Sequence, residues 1–466
     1  MLRPRTPYAR CLLVGLGGLF AGVTGPLLST FIPPLMRDVL GDHRTLIGTV
    51  MAIDNVLLLL LVPWAGAVSD RATARGRGRL PIVLCGFVLA SAGIALFPWS
   101  ARFGITGLIG AMVLVYSGIN LQRSPFHALM ADLVPSRYRS LATGSFTFQM
   151  CVGAIVFLML GRLLGMQTAF LIAAGAVLGI AVAFALGLRE PAMSKSHAAE
   201  ATFKSLFDAA SSAMRGVVPG MRPIFIATFL LQLTFQTFST WYALHGTERF
   251  GVRPEEVTVG FIAWAFGGMI GALPAGLIGV RIGRRNAMLL GFAMMAICLL
   301  ALDWVTDASQ AVPLLALASA SWTLPTVNAY PLFVEPIPRQ RRGVLAALFL
   351  LSMALGGAIG DPVNGALFDL VDSYRPLFLM MAAYTALAFV VVLLVPRGAG
   401  EADTGADSGR LRGCQADAPV RPADEPASPL LLACTPGRSH GVVRRPRSGA
   451  RAAFRAPACR YASILW

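Results

Sequence analysis

Residues 124–142 read SPFHALMADLVPSRYRSLA, and residues 328–346 read NAYPLFVEPIPRQRRGVLA. Sliding the second stretch onto the first aligns Asp132 with Glu335, Pro135 with Pro338 and Arg139 with Arg342. A second pair, GAVSDRATARGRGR at 66–79 and GLIGVRIGRR at 276–285, is also similar, although Val280 replaces the acid Asp70. Because repetition at a fixed spacing is typical of duplicated structural units, the sequence predicts two related halves.

The composition indicates a membrane protein. Hydrophobic residues make up 56% of the 466 and charged residues 13%, whereas soluble domains are about one quarter charged. Apolar stretches near the roughly 20 residues that a spanning helix needs recur along the chain. We predict an all-α protein with twelve transmembrane helices at 10–33, 45–68, 80–99, 104–130, 141–164, 167–188, 222–245, 256–280, 285–303, 311–334, 343–367 and 375–396.

The basic residues in the loops predict the orientation, because Lys and Arg in short loops favour the cytoplasmic side. They fall after the second, fourth, sixth, eighth and tenth predicted helices, for example at Arg75, Arg137, Lys195, Arg281 and Arg339. We therefore expect a multi-pass protein of the cell membrane with both termini cytoplasmic. The net charge of +16 then reflects topology, and we expect no nucleic-acid partner.

Four segments follow from this pattern: an N-terminal six-helix bundle (1–188), a cytoplasmic central loop (189–221), a C-terminal six-helix bundle (222–396) and a disordered cytoplasmic tail (397–466). Within the central loop, apolar residues at helical spacing over 203–214 suit a short interfacial helix, and a plain linker is an equal alternative. We assign no function to the tail.

These motifs resemble the major facilitator superfamily, and more narrowly the sugar:cation symporter branch of sucrose and glycoside-pentoside-hexuronide carriers. The loop GAVSDRATARGRGRLP (66–81) is similar to the family's Gly-x-x-x-Asp-Arg loop, with Gly78 in place of one arginine. RSPFHALMADLVPSRYRS (123–140) is similar to the branch's Ala-Leu-x-x-Asp-Leu-x-Pro segment. His127 stands where plant-type sucrose carriers have arginine.

The resemblance implies two pseudo-symmetric six-helix bundles in the major facilitator fold, which work by alternating access around a midplane site. We predict a secondary transporter, a monomer, whose partners are the lipid bilayer, a proton and a small-molecule solute. The solute predicted by the resemblance is a disaccharide or glycoside taken up by proton symport. The alternative is a proton-coupled exporter of drugs or metabolites on the same fold.

Asp54 and Asn55 interrupt an apolar run, with Asp54 roughly 14 Å into the second helix. An acid at that depth is costly, so it should face the bundle interior or a water-filled cavity. There it can bind the coupled proton, while Asn55 can donate to a neighbouring helix or to the solute. Alternatively, the pair only joins helices by hydrogen bonds.

Arg123 and His127 lie four residues apart and project from one helix face. Arg123 can pair with Asp54 in the empty carrier or bind solute hydroxyls, and His127 can relay a proton. The alternatives are an arginine that reaches the inner interface and a histidine buried in the core.

The charged residues at the predicted cytoplasmic helix ends suit an inner gate closed by ion pairs. Loop charges that only mark topology are the alternative. The predicted gating residues are Asp70, Arg71, Arg79, Asp132, Arg139, Glu335 and Arg342.

The second half offers amides and aromatic rings for a sugar site, since rings stack on pyranose faces and amides bind hydroxyls. The predicted solute-binding residues there are Gln232, Gln236 and Asn328, beside Trp241, Tyr242 and Tyr330. For Trp241 and Tyr242, a position in the interfacial aromatic belt is the alternative.

Enzymatic readings lack support in the sequence. The five histidines never pair at ligand spacing, and the seven cysteines form no zinc motif. We therefore predict no enzyme activity, no catalytic residues, no metal and no cofactor. A non-transporting sensor on a transporter scaffold is a further alternative, with Val280 as weak support.

Overall fold

The structure is a computed structural model and describes residues 7–135, 138–188, 190, 221–334 and 342–396. These residues form α-helices, with one 3₁₀ turn at Ala101–Phe103 and no strand in the described ranges. The predicted interfacial helix at 203–214 and the tail at 397–466 lie outside the described residues, as does Glu335. Of Arg139 and Arg342, only the backbone is described.

The first half contains α1 (Pro7–Leu40), α2 (Arg44–Met51), α3 (Ile53–Ala74), α4 (Leu80–Ser100), α5 (Gly104–Leu133) and α6 (Arg139–Gly187). The second half contains α7 (Met221–Phe250), α8 (Pro254–Ile282), α9 (Arg284–Asp303), α10 (Ala308–Val334), α11 (Arg342–Val371) and α12 (Leu377–Leu393). Each of the twelve predicted spans falls on a helical segment, which is consistent with the prediction.

One predicted span is divided and two others are continuous. The span at 45–68 is α2 followed by α3, with a break at Ala52, so it is not one uninterrupted helix. The spans at 141–164 and 167–188 are both part of α6, which turns at Gly165. Gly165 has φ 77° and ψ 167°, a left-handed backbone that favours glycine.

Length and composition support membrane crossing. Among the described residues, six stretches are long and apolar enough to cross a membrane, and α8, bent by 45° between Ala272 and Pro274, is a seventh. Two of the six, Leu80–Met130 with 51 residues and Leu141–Gly187 with 47, each exceed the roughly 20 residues of one crossing and hold two. Leu377–Leu393 is a shorter apolar helix.

The two halves repeat one packing scheme. In the first half α4 packs on α5 and α6, and α3 packs on α5; in the second, α9 packs on α10 and α12, and α8 packs on α10. Between the halves, α11 packs on α2 and α3, α6 packs on α8, and α1 packs on α7. We call the helix ends at residues 40–44, 100–104, 250–254, 303–308 and 371–377 the predicted outer end, and the opposite ends the predicted inner end.

Candidate functional site

Asp54 lies in the first turn of α3, just after the break at Ala52. Its carboxylate accepts a hydrogen bond from Asn120 Nδ2 of α5, with 3.1 Å between Nδ2 and Oδ1. The same amide nitrogen donates to the backbone carbonyl of Tyr116 at 3.0 Å, which fixes its orientation. Asn120 is fully buried, so Asp54 has a rigid neutral donor inside the bundle.

Arg123, one turn beyond Asn120 on α5, supplies the positive charge near Asp54. The charges of Arg123 and Asp54 interact, but the described structure has no close ion pair between them. Arg123 is exposed although it lies ten residues from the end of α5, about 15 Å along the helix axis. The Arg123 side chain is therefore not covered by the described helices around it.

His127 packs among aromatic rings of the first half, whereas Asn55 contacts the second half. The His127 ring packs against Phe126 and Phe146, with 5.8 Å between the His127 and Phe146 ring centres. Its Nδ1 has no hydrogen-bond partner among the described atoms. Asn55 is buried against Gly357 of α11, so it lies at the contact between the two halves.

Sequence reasoning did not find Asp361, which lies inside α11. The Asp361 side chain is fully buried, and Oδ2 accepts a hydrogen bond from Gln236 Nε2 of α7 at 3.0 Å. Its charge interacts with that of Asp54 from the other half, and Tyr116 interacts with both acids. The signal was available, because Asp361 is an acid within an apolar span, as Asp54 is.

One face of α7 is half-buried and meets the first half at Ser239. Its half-buried residues are Gln232, Phe235, Gln236 and Ser239, which keep the three- and four-residue spacing of a helix face. Ser239 Oγ lies 2.8 Å from Ser29 Oγ of α1. The face therefore carries amides and an aromatic ring on the same side of α7 as the contact with the first half.

An aromatic cluster lies behind this face. Phe235 stacks on Trp322 of α10 with 5.1 Å between ring centres, and Phe238 stacks on Trp264 of α8 at 4.2 Å. Trp264 also lies 6.3 Å from Trp322, so the four rings form one group across three helices. Phe235 is the half-buried member, and the others are buried.

Other predicted solute-binding residues serve helix packing. Asn328 Nδ2 donates to the carbonyl oxygens of Ala275 and Leu324, which ties α10 to α8. Trp241 and Tyr242 are buried near the predicted outer end, where Trp241 packs on Phe368 of α11. The structure places neither ring in an interfacial belt.

At the predicted inner end, Arg79 pairs with two of the other predicted gating residues. Its Nη1 contacts the carboxylate of Asp70 and its Nε donates to Asp132 Oδ2 at 3.1 Å. The backbone N–H groups of Arg79 and Leu80 donate to the carboxylate of Glu190, which sequence reasoning missed. This cluster lies within the first half, and Arg71 is exposed beside it.

At the predicted outer end, charged residues join the two halves. Arg44 Nη1 of α2 pairs with Asp372 Oδ1 at 2.7 Å, and the Arg44 guanidinium lies 4.8 Å from the ring centre of Tyr374. The backbone N–H groups of Arg44 and Thr45 donate to Asp369 at 3.0 and 2.8 Å. Since Arg44 is buried, these contacts close this end of the interface.

Two helical bundles with facing intramembrane acids and a charged seal at one end define a membrane carrier. A sequence profile of the Major Facilitator Superfamily matches residues 14–267 and 224–457. The chain belongs to the Major Facilitator Superfamily and is a transporter, not an enzyme.

Two curated proteins are similar to the chain along most of their length. The class E tetracycline resistance protein of Escherichia coli is 25% identical over 371 residues, covering 76% of this chain and 86% of that protein. The class G protein of Vibrio anguillarum is 24% identical over 372 residues, covering 76% and 87%.

Solved structures share the fold. The nucleoside transporter NupG gives a TM-score of 0.68 at 12% identity, covering 83% of this chain and 100% of that chain. A bacterial homolog of the human lysosomal transporter Spinster, inward-facing and occupied, gives 0.66 at 14% identity, covering 84% and 97%. At these identities the likeness establishes the fold alone.

Proposed function

We propose that the protein is a secondary transporter in which proton binding at Asp54 is coupled to solute movement by alternating access. The observation that carries this proposal is the Asp54 carboxylate itself, held inside a membrane span by Asn120 and facing the charge of Arg123. A charged acid inside a span is costly, and such residues typically line ion or substrate pathways.

The coupling follows from the charges. With Asp54 ionised, its negative charge offsets the positive charge of Arg123. When Asp54 binds a proton, the charge of Arg123 is left uncompensated, and Arg123 becomes available to acceptor groups of a solute or repels a cationic one. Proton occupancy therefore changes the affinity of the same space for the solute, which is the differential binding that coupling requires.

For the solute, we propose a ring-containing organic compound exported by proton antiport. Phe235, stacked on Trp322, is a half-buried ring one turn before Ser239, which contacts the first half. Similarity to two tetracycline resistance proteins supports the same class. Two of the three amides expected for a sugar site are engaged inside the protein, Gln236 with Asp361 and Asn328 with Ala275.

Proton symport of a disaccharide or glycoside is the second candidate. Gln232 lies three residues before Phe235 on the same face of α7, so an amide stands beside an aromatic ring. That pair suits a sugar, whose apolar face stacks on aromatic rings and whose hydroxyls bind amides. Both candidates use the same proton site and differ in the direction in which the gradient drives the solute.

Accumulation in proteoliposomes tests the proposal. An inside-acid gradient should drive labelled tetracycline into the lumen if the protein is an antiporter. An outside-acid gradient should drive labelled sucrose, maltose or trehalose inward if it is a symporter. In either case Asp54→Asn should abolish accumulation, whereas Asp307→Asn, at an exposed loop acid, should not. Gradient-driven accumulation that survives Asp54→Asn, or no accumulation of any probe, refutes the proposal.

A further inference from the structure

The interface between α11 and the α2–α3 span is packed closely enough to exclude water. A Cβ on Gly48 of α2 would overlap the backbone carbonyl of Asp361, so the two backbones touch there. Further along, a Cβ on Gly357 would overlap the Asn55 amide, one residue from Asp54. Gly357 and Asp361 lie four residues apart and so share the face of α11 that meets the first half.

Asp361 is sealed inside this interface with an incomplete set of partners. Its Oδ2 accepts from Gln236, but its Oδ1 has no hydrogen-bond partner among the described atoms. A buried carboxylate oxygen without a donor is rare in folded proteins and calls for an explanation.

No cation faces Asp361 among the described residues of the elements around it. From α3, the titratable group that faces Asp361 is the acid Asp54. From α5, it is Tyr116, whose phenol is neutral. From α7 the neighbours are the uncharged Gln236 and Thr240. The sequence of α10 contains no charged residue. The charged residue of α2, Arg44, is paired with Asp372 at the predicted outer end.

Burial of an ionised carboxylate without a cation, and beside a second acid, is strongly unfavourable in a low-dielectric interior. A proton on Asp361 removes that cost and gives the side chain a hydroxyl group that can donate a hydrogen bond. The closed interface therefore favours the protonated, neutral form of Asp361 over the ionised form. When the interface opens, water can enter and hydrate the carboxylate, which favours the ionised form of Asp361.

We propose that Asp361 is a second proton-binding site, and that its proton permits α11 to close on α2 and α3 at the predicted outer end. The inference rests on the proposed function in one respect, alternating access between the two halves, and it does not depend on the solute. It assigns separate tasks to the two acids: the proton on Asp54 sets solute affinity, and the proton on Asp361 sets which end is closed.

Distances between spin labels across the predicted outer end test this without any solute. Phe103 of the first half and Trp304 of the second are 74% and 86% exposed, so Phe103→Cys and Trp304→Cys give labelling sites on opposite halves. The seven native cysteines are first replaced by alanine. Distances are measured by double electron–electron resonance in nanodiscs between about pH 5 and about pH 9, a range that spans raised carboxyl pKa values.

The expected result is a short distance at low pH that lengthens as the pH rises. Asp361→Asn, which is neutral at every pH, should keep the short distance throughout, and Asp361→Glu should restore the titration. Asp307→Asn should titrate as the parent does. A parent distance that does not change with pH, or an Asp361→Asn variant that titrates like the parent, overturns the inference.

The distance measurement and the transport assay can contradict the inference on Asp361 and the proposed function independently of each other. A distance change that depends on Asp361, combined with no accumulation of any probe solute, leaves the inference standing and refutes the proposed function. Accumulation that depends on Asp54, combined with a distance change that ignores Asp361, does the opposite.

Discussion

Asn120 of α5 donates a hydrogen bond to Asp54 of α3, with 3.1 Å between Asn120 Nδ2 and Asp54 Oδ1. Because Asn120 is fully buried, its amide is held inside the bundle at this contact. The pair holds together two helices of the first half and fixes the acid that we propose as the proton site.

Asn120→Ala should therefore destabilise the protein. Removing the partner of a buried polar group costs about 1–3 kcal/mol, so the variant should unfold at a lower temperature in detergent. Asn286→Ala is the matched control, since the exposed Asn286 amide donates to the carbonyl oxygen of Ile282, only four residues earlier in the chain. Equal unfolding temperatures for the two variants would contradict the role assigned to Asn120.

Arg44→Ala should open the predicted outer end. It removes the ion pair with Asp372 and the contact with Tyr374, both of which bridge the two halves. We expect a membrane-impermeant maleimide to label Ser239→Cys several-fold faster in the cysteine-free background that also carries Arg44→Ala. Arg253→Ala, at an 80% exposed side chain that pairs only with the nearby Glu256, should leave the labelling rate unchanged.

Arg79→Lys should impair transport nearly as much as Arg79→Ala. The guanidinium contacts Asp70 through Nη1 and Asp132 through Nε, and one ammonium group cannot reproduce that forked geometry. Initial rates of gradient-driven accumulation measure the effect. Arg75→Lys, at an exposed loop arginine, should behave like the parent. Full activity of Arg79→Lys would show that charge alone is needed.

Gly48→Ala should prevent complete closure of the α2–α11 contact, because the new methyl group meets the backbone carbonyl of Asp361, which cannot rotate away. Alanine is otherwise the better helix former by about 1 kcal/mol, so a loss cannot come from helix propensity. The Phe103–Trp304 distance should be longer at low pH than in the parent. Gly179→Ala adds a methyl group in open space and should leave the distance unchanged.

The spans were predictable from the sequence because a bilayer forces backbone groups to pair within each segment. Apolar runs therefore translate directly into helices, and the turn at Gly165 falls in the gap between two predicted spans. The position of Asp54 within a helical span was predictable for the same reason. The break at Ala52 was not, since both sides of it are apolar and helical.

Contacts between helices that are far apart in the chain could not be predicted from the sequence. The Arg44–Asp372 pair joins residues 328 positions apart in the chain. The Glu190 carboxylate accepts a hydrogen bond from the Leu80 N–H at the start of α4, 110 positions earlier. Neither has a periodic signature. Asn328 illustrates the converse: an amide within a span suggests a solute site, but the approach of α8 at Gly279 places it against a neighbouring helix. Asp361 could have been found by the logic that singled out Asp54.

Proton movement on addition of solute tests the central claim most directly. Proteoliposomes with a pH-sensitive dye in the lumen receive tetracycline when the lumen is acidic, or sucrose when the pH is equal on the two sides, and the dye signal is compared for the parent and Asp54→Asn. In the parent, the account predicts faster proton loss from the lumen with tetracycline if the protein is an antiporter, or proton entry with sucrose if it is a symporter, and no response to either solute in Asp54→Asn. An equal response from the two proteins would contradict the assignment of Asp54 as the coupled proton site.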